Sequence, residues 1–283
     1  MWRITLVTDT RTAPRYAEAL ETLCPTVSWI DTDEDGQVEV EAISEEKPVR
    51  AVVEKLLKAA HTPLPQVTIA PLPDTDWLTL SFQSFPPKQL GRFWIHGSHV
   101  TTPPPAGSWP LQIDAATAFG SGEHPTTAGC LAALEQLSKS CRFRNILDMG
   151  TGSGILAIAA ARIFGSRVTA VDIDPESIRV TKNHAEANTV LRHLHLEAGD
   201  GFKSPLARRH APYDLLLANI LARPLRLMAR DGASLVRQNG YIVLAGLLDT
   251  QVNLVLEAWR KQGCRLVRKL KRGEWTILIL RKG

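Results

Sequence analysis

The sequence predicts an α/β chain: a mostly parallel, doubly wound sheet with an antiparallel last strand, preceded by a smaller α+β domain. Three observations lead there. The apolar run Asn145 to Met149 stops at Gly150-Thr151-Gly152-Ser153-Gly154, and a helix-patterned stretch, Ile155 to Ile163, follows at once. A second apolar strand, Val168 to Val171, ends on Asp172, twenty-two residues past Gly150. The last two strands, Cys264 to Leu270 and Glu274 to Leu280, are joined only by Lys271-Arg272-Gly273, too short for a helical crossover, so they run antiparallel.

The elements between these landmarks alternate. Strands are expected at His193–Ala198, Asp214–Asn219 and Tyr241–Gly246, and helices near Pro175–Ala187, Pro224–Val236 and Thr250–Gln262. Asp174 followed by Pro175 is an N-cap with proline at the first helical position. Pro125 likewise starts a helix with Leu131, Leu134 and Leu137 on one face. The first seventy residues show a different order: strand Trp2–Val7, helix Ala13–Leu23, strands Thr26–Ile30 and Gln37–Ala42 around the turn Asp33-Glu34-Asp35-Gly36, helix Glu45–Ala60 and strand Gln66–Ala70. This β-α-β-β-α-β order is ferredoxin-like. The expected division is a recognition domain at 1–70, a linker at 71–110 and a catalytic domain at 111–283.

Composition bounds the function. At 283 residues, each domain is large enough to bury a core. Cys24, Cys130, Cys141 and Cys264 are scattered and form no C-x-x-C pair, so neither a zinc site nor a disulfide scaffold is expected, and a reducing cytoplasm suits them. No run approaches a membrane span, and Met1-Trp2-Arg3-Ile4 lacks a signal-peptide core. Net charge is +4, yet residues 1–60 hold 12 acids against 7 bases, so the excess lies further on. Much of it sits at Arg265, Arg268, Lys269, Lys271 and Arg272, where edge-strand protection explains it better than RNA binding. The strand Gln37-Val38-Glu39-Val40-Glu41 carries acids where an RNA-recognition domain needs stacking rings. An acidic front domain fits a basic protein partner instead. The proline- and aromatic-rich stretch 71–110, with Trp77, Phe82, Phe85, Phe93, Trp94 and Trp109, reads either as a linker packing its rings on one domain or as a hinge presenting a substrate.

The glycine turn and Asp172 point to a nucleoside cofactor. Glycines let a ligand lie against bare backbone N–H groups, and an acid at the next strand end can hold both ribose hydroxyls. Dinucleotide folds use G-x-G-x-x-G so that a pyrophosphate sits on the helix N-terminus. Here the spacing is G-x-G-x-G behind Asp148, which repels phosphate but tolerates an ammonium and a sulfonium. S-adenosylmethionine carries both, and is the expected cofactor; an ordinary tight turn is the bland reading of the same glycines. The loop Ala116 to Thr127 precedes this half, and its glycines suit a flap over the cofactor, with Thr126 and Thr127 in the first helical turn. Asn219 lies at a strand end, where capping of the next helix is its plain reading; a place beside the methionine moiety and the incoming nitrogen is what the resemblance described next implies. His124 can accept a proton or simply be exposed, and Asp200 can reach the adenine amino group or be a turn residue.

Several segments together carry a resemblance. Phe119-Gly120-Ser121-Gly122-Glu123-His124-Pro125-Thr126-Thr127, Leu147 to Gly154, Asp172-Ile173-Asp174-Pro175 and Ala218-Asn219-Ile220-Leu221-Ala222 resemble the Rossmann-like methyltransferases that modify the large-subunit ribosomal protein L11. Gly91-Arg92-Phe93-Trp94-Ile95 is similar to that family's interdomain segment. The chain departs from the family pattern at Ala115-Ala116, where Pro-Gly is common, and at Glu123. The resemblance implies repeated methylation of lysine side chains and an α-amine of that basic ribosomal protein, with Asn219 catalytic. It implies contacts to S-adenosylmethionine from Thr127, Gly150, Asp172 and Asn219; Gly152 and Asp200 join them from the turn and the third strand end. No metal is needed, because a sulfonium is already a good leaving group. A cytoplasmic monomer needing neither nucleic acid nor membrane is expected. The rival readings are a methyltransferase of another protein or small-molecule amine, and a non-catalytic ribosome-assembly factor. Amide and nucleic-acid amino methyltransferases are disfavoured, since they carry Pro-Pro and an aromatic where this chain has Ile220-Leu221-Ala222.

Overall fold

The computed structural model describes residues 1–24, 26–31, 37–44, 46–61, 63, 65–71, 86–114 and 124–283. The hairpin turn Asp33–Gly36, the rings of Trp77, Phe82 and Phe85, and the glycine loop from Ala115 to Glu123 lie outside the described residues. The chain divides into two compact units, Met1–Trp77 and Leu78–Gly283.

In the first unit, strands β1 (Trp2–Asp9), β2 (Thr26–Asp31), β3 (Gln37–Ser44) and β4 (Val67–Pro71) form an antiparallel sheet in the order β2-β3-β1-β4. Helices α1 (Ala13–Glu21) and α2 (Arg50–Ala60) complete the ferredoxin-like order. Strand alternation explains the core. Ile4 and Leu6 of β1 and Val38, Val40 and Ala42 of β3 are buried with Tyr16, Leu20, Val53 and Leu57 of the helices. Glu39 and Glu41 alternate with the buried residues of β3 and so face away from that core. Helix α2 starts at Arg50 rather than Glu45. Pro48 lacks an N–H and would leave a helical bond unmade if the helix ran through it. Val49 is extended at φ −74°, ψ 117°, and the helix begins after it.

The second unit contains a three-stranded sheet, β5 (Lys88–Leu90), β6 (Phe93–His96) and β7 (Trp109–Gln112), and a seven-stranded one. The smaller sheet lies mostly within the stretch expected to be linker. Its Phe93, Ile95 and Leu111 belong to the unit's main hydrophobic core, and a fully buried Phe contributes roughly 1.5–3 kcal/mol, reason enough for this stretch to be ordered. Arg92 covers Trp109, its guanidinium carbon 4.0 Å from the ring centre.

The large sheet comprises β8 (Asn145–Met149), β9 (Arg167–Asp172), β10 (Leu194–Ala198), β11 (Tyr213–Asn219), β12 (Val236–Leu248), β13 (Cys264–Arg272) and β14 (Trp275–Lys282). Their spatial order is β10-β9-β8-β11-β12-β14-β13. β8 to β12 are mutually parallel and β14 is antiparallel to both β12 and β13. Successive residues of one strand enter opposite cores. Ile146, Leu215, Leu217 and Val243 meet helices α3 (Pro125–Ser138) and α4 (Ile155–Phe164). Leu147, Leu216, Ile242 and Leu244 meet α6 (Pro205–His210), α7 (Ala222–Leu227), α8 (Ala229–Leu235) and α9 (Val252–Arg260). Such continuous apolar runs are what a sheet covered on both faces requires. Helix α5 (Pro175–Ala187) connects β9 to β10.

The expected single helix from Pro224 to Val236 is two helices, broken at Met228 (φ −92°, ψ 8°). Gly232 packs where a Cβ would stand 2.8 Å from both Phe202 and Trp259, which fixes α8 against the core, while Met228 turns toward Gly201. The expected strand 241–246 is longer, because β12 begins at Val236 and continues through Gly246 at φ +83°. The expected helix from Thr250 becomes a 3-10 turn followed by α9 from Val252.

Candidate active site

The strand order reverses between β8 and β11, with β9 and β10 on one side and β12 on the other. Open α/β sheets bind ligands outside the carboxyl ends of their strands at such a switch point. There the structure has a cleft of about 610 Å³, within the ~300–1,000 Å³ typical of ligand sites. Gly150 and Gly152 form one wall, Asp172, Ile173 and Asp174 a rim, and Asn219, Ile220 and Leu221 the opposite side.

The turn after β8 is built from glycines for steric reasons. Gly150, Gly152 and Gly154 adopt φ of +74°, +55° and +82°, the left-handed region that disfavours other residues. A Cβ on Gly150 would meet the Ile220 side chain at 2.3 Å. The expectation that the turn offers bare N–H groups is corrected by the hydrogen bonds. Gly150 N donates to Val171 O at 2.8 Å and Gly152 N to Asp172 Oδ2 at 2.8 Å. The glycines therefore remove side chains from the wall rather than present donors.

Asp148 is also placed differently from its expected position near a sulfonium. It is 1% exposed and does not line the cleft. Its Oδ2 accepts from Thr151 Oγ1 at 2.8 Å and from Ala157 N, in the first turn of α4, at 3.1 Å. Burial pushes its carboxyl up to about 7, against the lowering effect of those two bonds. Ser153 Oγ accepts from Ile155 N. With those amides engaged by Asp148 and Ser153, the start of α4 does not offer the free anion site on which a dinucleotide depends. The exclusion of a pyrophosphate stands, through occupied amides and a buried acid.

Asp172 sits at the end of β9, with Oδ2 bonded to Gly152 N and Oδ1 accepting from Asp174 N at 3.1 Å. Two amides thus aim its carboxylate along the rim. Asp174 caps α5 through Glu176 N and Ser177 N, as its sequence position implies. Asp200 lines the mouth, but its side chain is exposed and paired with Lys203 at 3.2 Å. With Asp172 and Asp174, it gives the cleft an acidic lip that suits a cationic ligand.

Asn219, the last residue of β11, meets Thr127 of α3: its Nδ2 lies 3.4 Å from Thr127 Oγ1. Thr127 is fully buried. Asn219 Oδ1 is also buried, and it has no hydrogen-bond partner among the described residues. An unpaired buried acceptor costs about 1–3 kcal/mol, and this one belongs to a residue that lines the cleft. The helix-capping alternative finds no support, since Leu221 is the N-cap residue of α7 and no side chain caps it. His124 is neither simply exposed nor placed at the cleft; its Nδ1 caps α3 by accepting from Thr126 N.

Three contributors escaped the sequence. Ile173 and Leu221 line the cleft yet are 75% and 72% exposed; Ile173 is a lone apolar residue between a strand end and a helix cap, and Leu221 is itself the cap position of α7. Gly246 was read only as a strand end. A Cβ there would stand 2.2 Å from the Ile220 carbonyl oxygen, so its absence allows the Asn219–Leu221 turn to close over β12. No sequence pattern signals that approach.

The arrangement can take an adenosyl sulfonium donor: one wall of glycines, an acid at the rim, an acidic lip and, among the described residues, an unpaired acceptor on Asn219. Among the described residues no group of His, Cys, Asp and Glu could hold a metal, and no helix is long and apolar enough to cross a membrane. Known proteins agree with this reading. The family described as ribosomal protein L11 methyltransferase (PrmA) matches residues 9–283. A ribosomal protein L11 methyltransferase of Rhizobium rhizogenes is 40% identical over 238 residues, 83% of this chain and 80% of that protein. One of Mesorhizobium japonicum is 38% identical over 253 residues, 89% and 87% of the two chains. The crystal structure of a ribosomal protein L11 methylase from Lactobacillus delbrueckii subsp. bulgaricus is 27% identical, with a TM-score of 0.63 over 70% of this chain and all of that one. The match of nearly the whole sequence, and of the fold around the cleft, means that this chain belongs to the ribosomal protein L11 methyltransferase family.

Proposed function

We propose that the chain transfers methyl groups from S-adenosylmethionine to amine nitrogens of ribosomal protein L11, at lysine side chains and the N-terminal amine. The unpaired Asn219 Oδ1 beside the glycine-walled cleft carries this reading. Gly150 and Gly152 would hold the donor's backbone-facing side, Asp172 its ribose hydroxyls, Asp200 its adenine end and Asn219 its methionine end, while Thr127, fully buried and outside the cleft lining, would act through its contact with Asn219. Bound there, the donor supplies an activated methyl group on sulfur. Asp172, Gly150 and Gly152 would hold it so that the methyl could pass to the amine nitrogen with the thioether as leaving group, taking the bonding pair, and the amine would give one proton to solvent.

The difficult requirement is a neutral amine. A lysine with pKa ~10.4 is about 3.4 units too protonated at pH 7, roughly 4.6 kcal/mol. Desolvation lowers such a pKa, and alignment of the reacting atoms can supply a comparable or larger contribution. Asn219 Oδ1 would accept an N–H of the incoming amine and fix the direction of its lone pair. An N-terminal amine, pKa ~8, needs much less help. We further infer that the enzyme is a cytoplasmic monomer that needs no nucleic acid. Its four cysteines are all free, in keeping with a reducing compartment.

The test is transfer of labelled methyl from S-adenosylmethionine into purified ribosomal proteins. Label in L11, released from lysines and the N-terminus on hydrolysis, supports the proposal. Label confined to another acceptor supports the wider amine reading, and no transfer by folded protein that binds S-adenosylhomocysteine supports an assembly factor.

A further inference from the structure

The acceptor Asn219 is not held by its own strand alone. Its Nδ2 reaches Thr127 Oγ1 at 3.4 Å, near the limit of a hydrogen bond, where a few tenths of an ångström decide whether the bond exists. The position of Thr127 therefore matters, and it is set by the start of α3. That start is unusual. Pro125 supplies no N–H, the first turn holds no acid, and the cap is an imidazole rather than the common Ser, Thr, Asp or Asn. Nδ1 of His124 accepts from Thr126 N at 3.3 Å and bonds Thr126 Oγ1 at 2.7 Å, while the His124 carbonyl accepts from Thr127 N at 3.0 Å. One residue thus ties down both Thr126 and Thr127.

An imidazole caps well only if its ring is held in one orientation. Trp275 does this. Its ring meets the His124 ring edge-on, 4.7 Å between centroids at 70°. Trp275 is itself fixed at the first residue of β14, paired with Leu248 of β12 and Arg272 of β13. Next to it Thr276 bonds Asp249, which also pairs with Lys271, so the hairpin tip is tied to the end of β12. The contacts run unbroken from Trp275 to His124, to Thr126 and Thr127, and to Asn219. We propose that Trp275 is a positioning residue for methyl transfer: through the His124 cap it sets the register of α3 and so the direction in which Asn219 Oδ1 points. Neither Trp275 nor His124 lines the cleft.

This rests on the proposed function for its kinetic consequence but not for its structural one, and the experiment separates the two. The variants are Trp275→Leu, which keeps apolar bulk, Trp275→Phe, which keeps a ring, and His124→Asn, which caps without needing one. The first readout is the Asn219 side-chain amide resonance of the ligand-free protein, assigned by its loss in Asn219→Ala. It should move in Trp275→Leu and stay near its wild-type position in Trp275→Phe. In the His124→Asn background, Trp275→Leu should move it no further. The second readout is kinetic: Trp275→Leu should lower kcat about three- to tenfold, the scale of an aromatic pair, with KM for the acceptor protein within about twofold. Trp275→Phe should restore most of the rate. An Asn219 resonance unmoved by Trp275→Leu overturns the proposal, as does an equal shift with and without His124. An inactive wild type would instead overturn the functional reading, and the resonance would still decide the positioning role.

Discussion

Replacement of Asp172 by Ala is the sharpest test of the cleft. The carboxylate accepts Gly152 N at 2.8 Å and Asp174 N at 3.1 Å, and its remaining lone pairs face along the rim. A net contribution of about 1.5–3 kcal/mol per hydrogen bond to a charged group makes the loss of one ribose hydroxyl worth about 10- to 150-fold in dissociation constant. Losing both hydroxyls would exceed this range. The substitution also frees two loop amides, so stability must be followed with affinity. Isothermal titration with S-adenosylhomocysteine, beside a thermal melt without ligand, gives both numbers. Asp172→Asn keeps the shape but presents an NH₂ to one of two donors, and should fall between wild type and Ala. An Asp172→Ala protein that melts cooperatively and binds S-adenosylhomocysteine within twofold of wild type refutes the ribose assignment. A nicotinamide dinucleotide that binds where S-adenosylhomocysteine does not would refute the cofactor.

Three further outcomes are expected. Asn219→Ala should reduce kcat about a hundredfold, the lower end of what removing one preorganised transition-state contact costs, with a smaller effect on S-adenosylhomocysteine affinity; unchanged kcat would remove Asn219 from the chemistry. Gly246→Ala puts a Cβ at φ +83° and 2.2 Å from the Ile220 carbonyl oxygen, so it should lower both Tm and kcat; a wild-type rate would mean that the Asn219–Leu221 turn does not depend on that approach. Asp148 links stability to pH. Its folded-state carboxyl lies near 7, above the ordinary 3.8, chiefly because burial disfavours the charge. Protonation then favours the folded state, so this stabilisation is complete below about pH 4 and is lost as pH rises to about 7, on the order of 1.4 kcal/mol per pH unit. Asp148→Asn, neutral throughout, should gain stability relative to wild type between pH 5 and 7 in urea titrations, and a constant difference would show that Asp148 is charged across that range.

Much was legible in the sequence because local rules and global fold agree here. Three glycines between a strand and a helix, an acid at the next strand end, and two strands joined by three residues fixed the sheet's plan and most of its cleft. Asp172 and Asn219 could be expected at the cleft that they line because β-strands deliver their last residues to one edge of a parallel sheet. What misled were places where tertiary packing overrides periodicity. The stretch from Pro224 to Val236 has one helical pattern, but the approach of Phe202 and Trp259 to Gly232 fixes its second half, and it breaks at Met228. Residues 88–112 fall in the expected linker, and the burial of Phe93 with Trp109 against the core agrees with its reading as a stretch that packs its rings on one domain rather than with a hinge.

By itself, then, the sequence determined the class of fold, the cofactor class and the residues at the strand ends, since each depends on spacings of a few positions. Only the tertiary structure decided what each group does. It turned Asp148 away from the cleft and under α4, spent the amides of Gly150 and Gly152 on Val171 and Asp172, and left Asn219 Oδ1 without a partner among the described residues. It also brought Trp275 to His124, 151 positions apart in the chain. Hydrogen-bond occupancy and ring contact depend on distances of tenths of an ångström between remote segments, and no pattern along the chain encodes them.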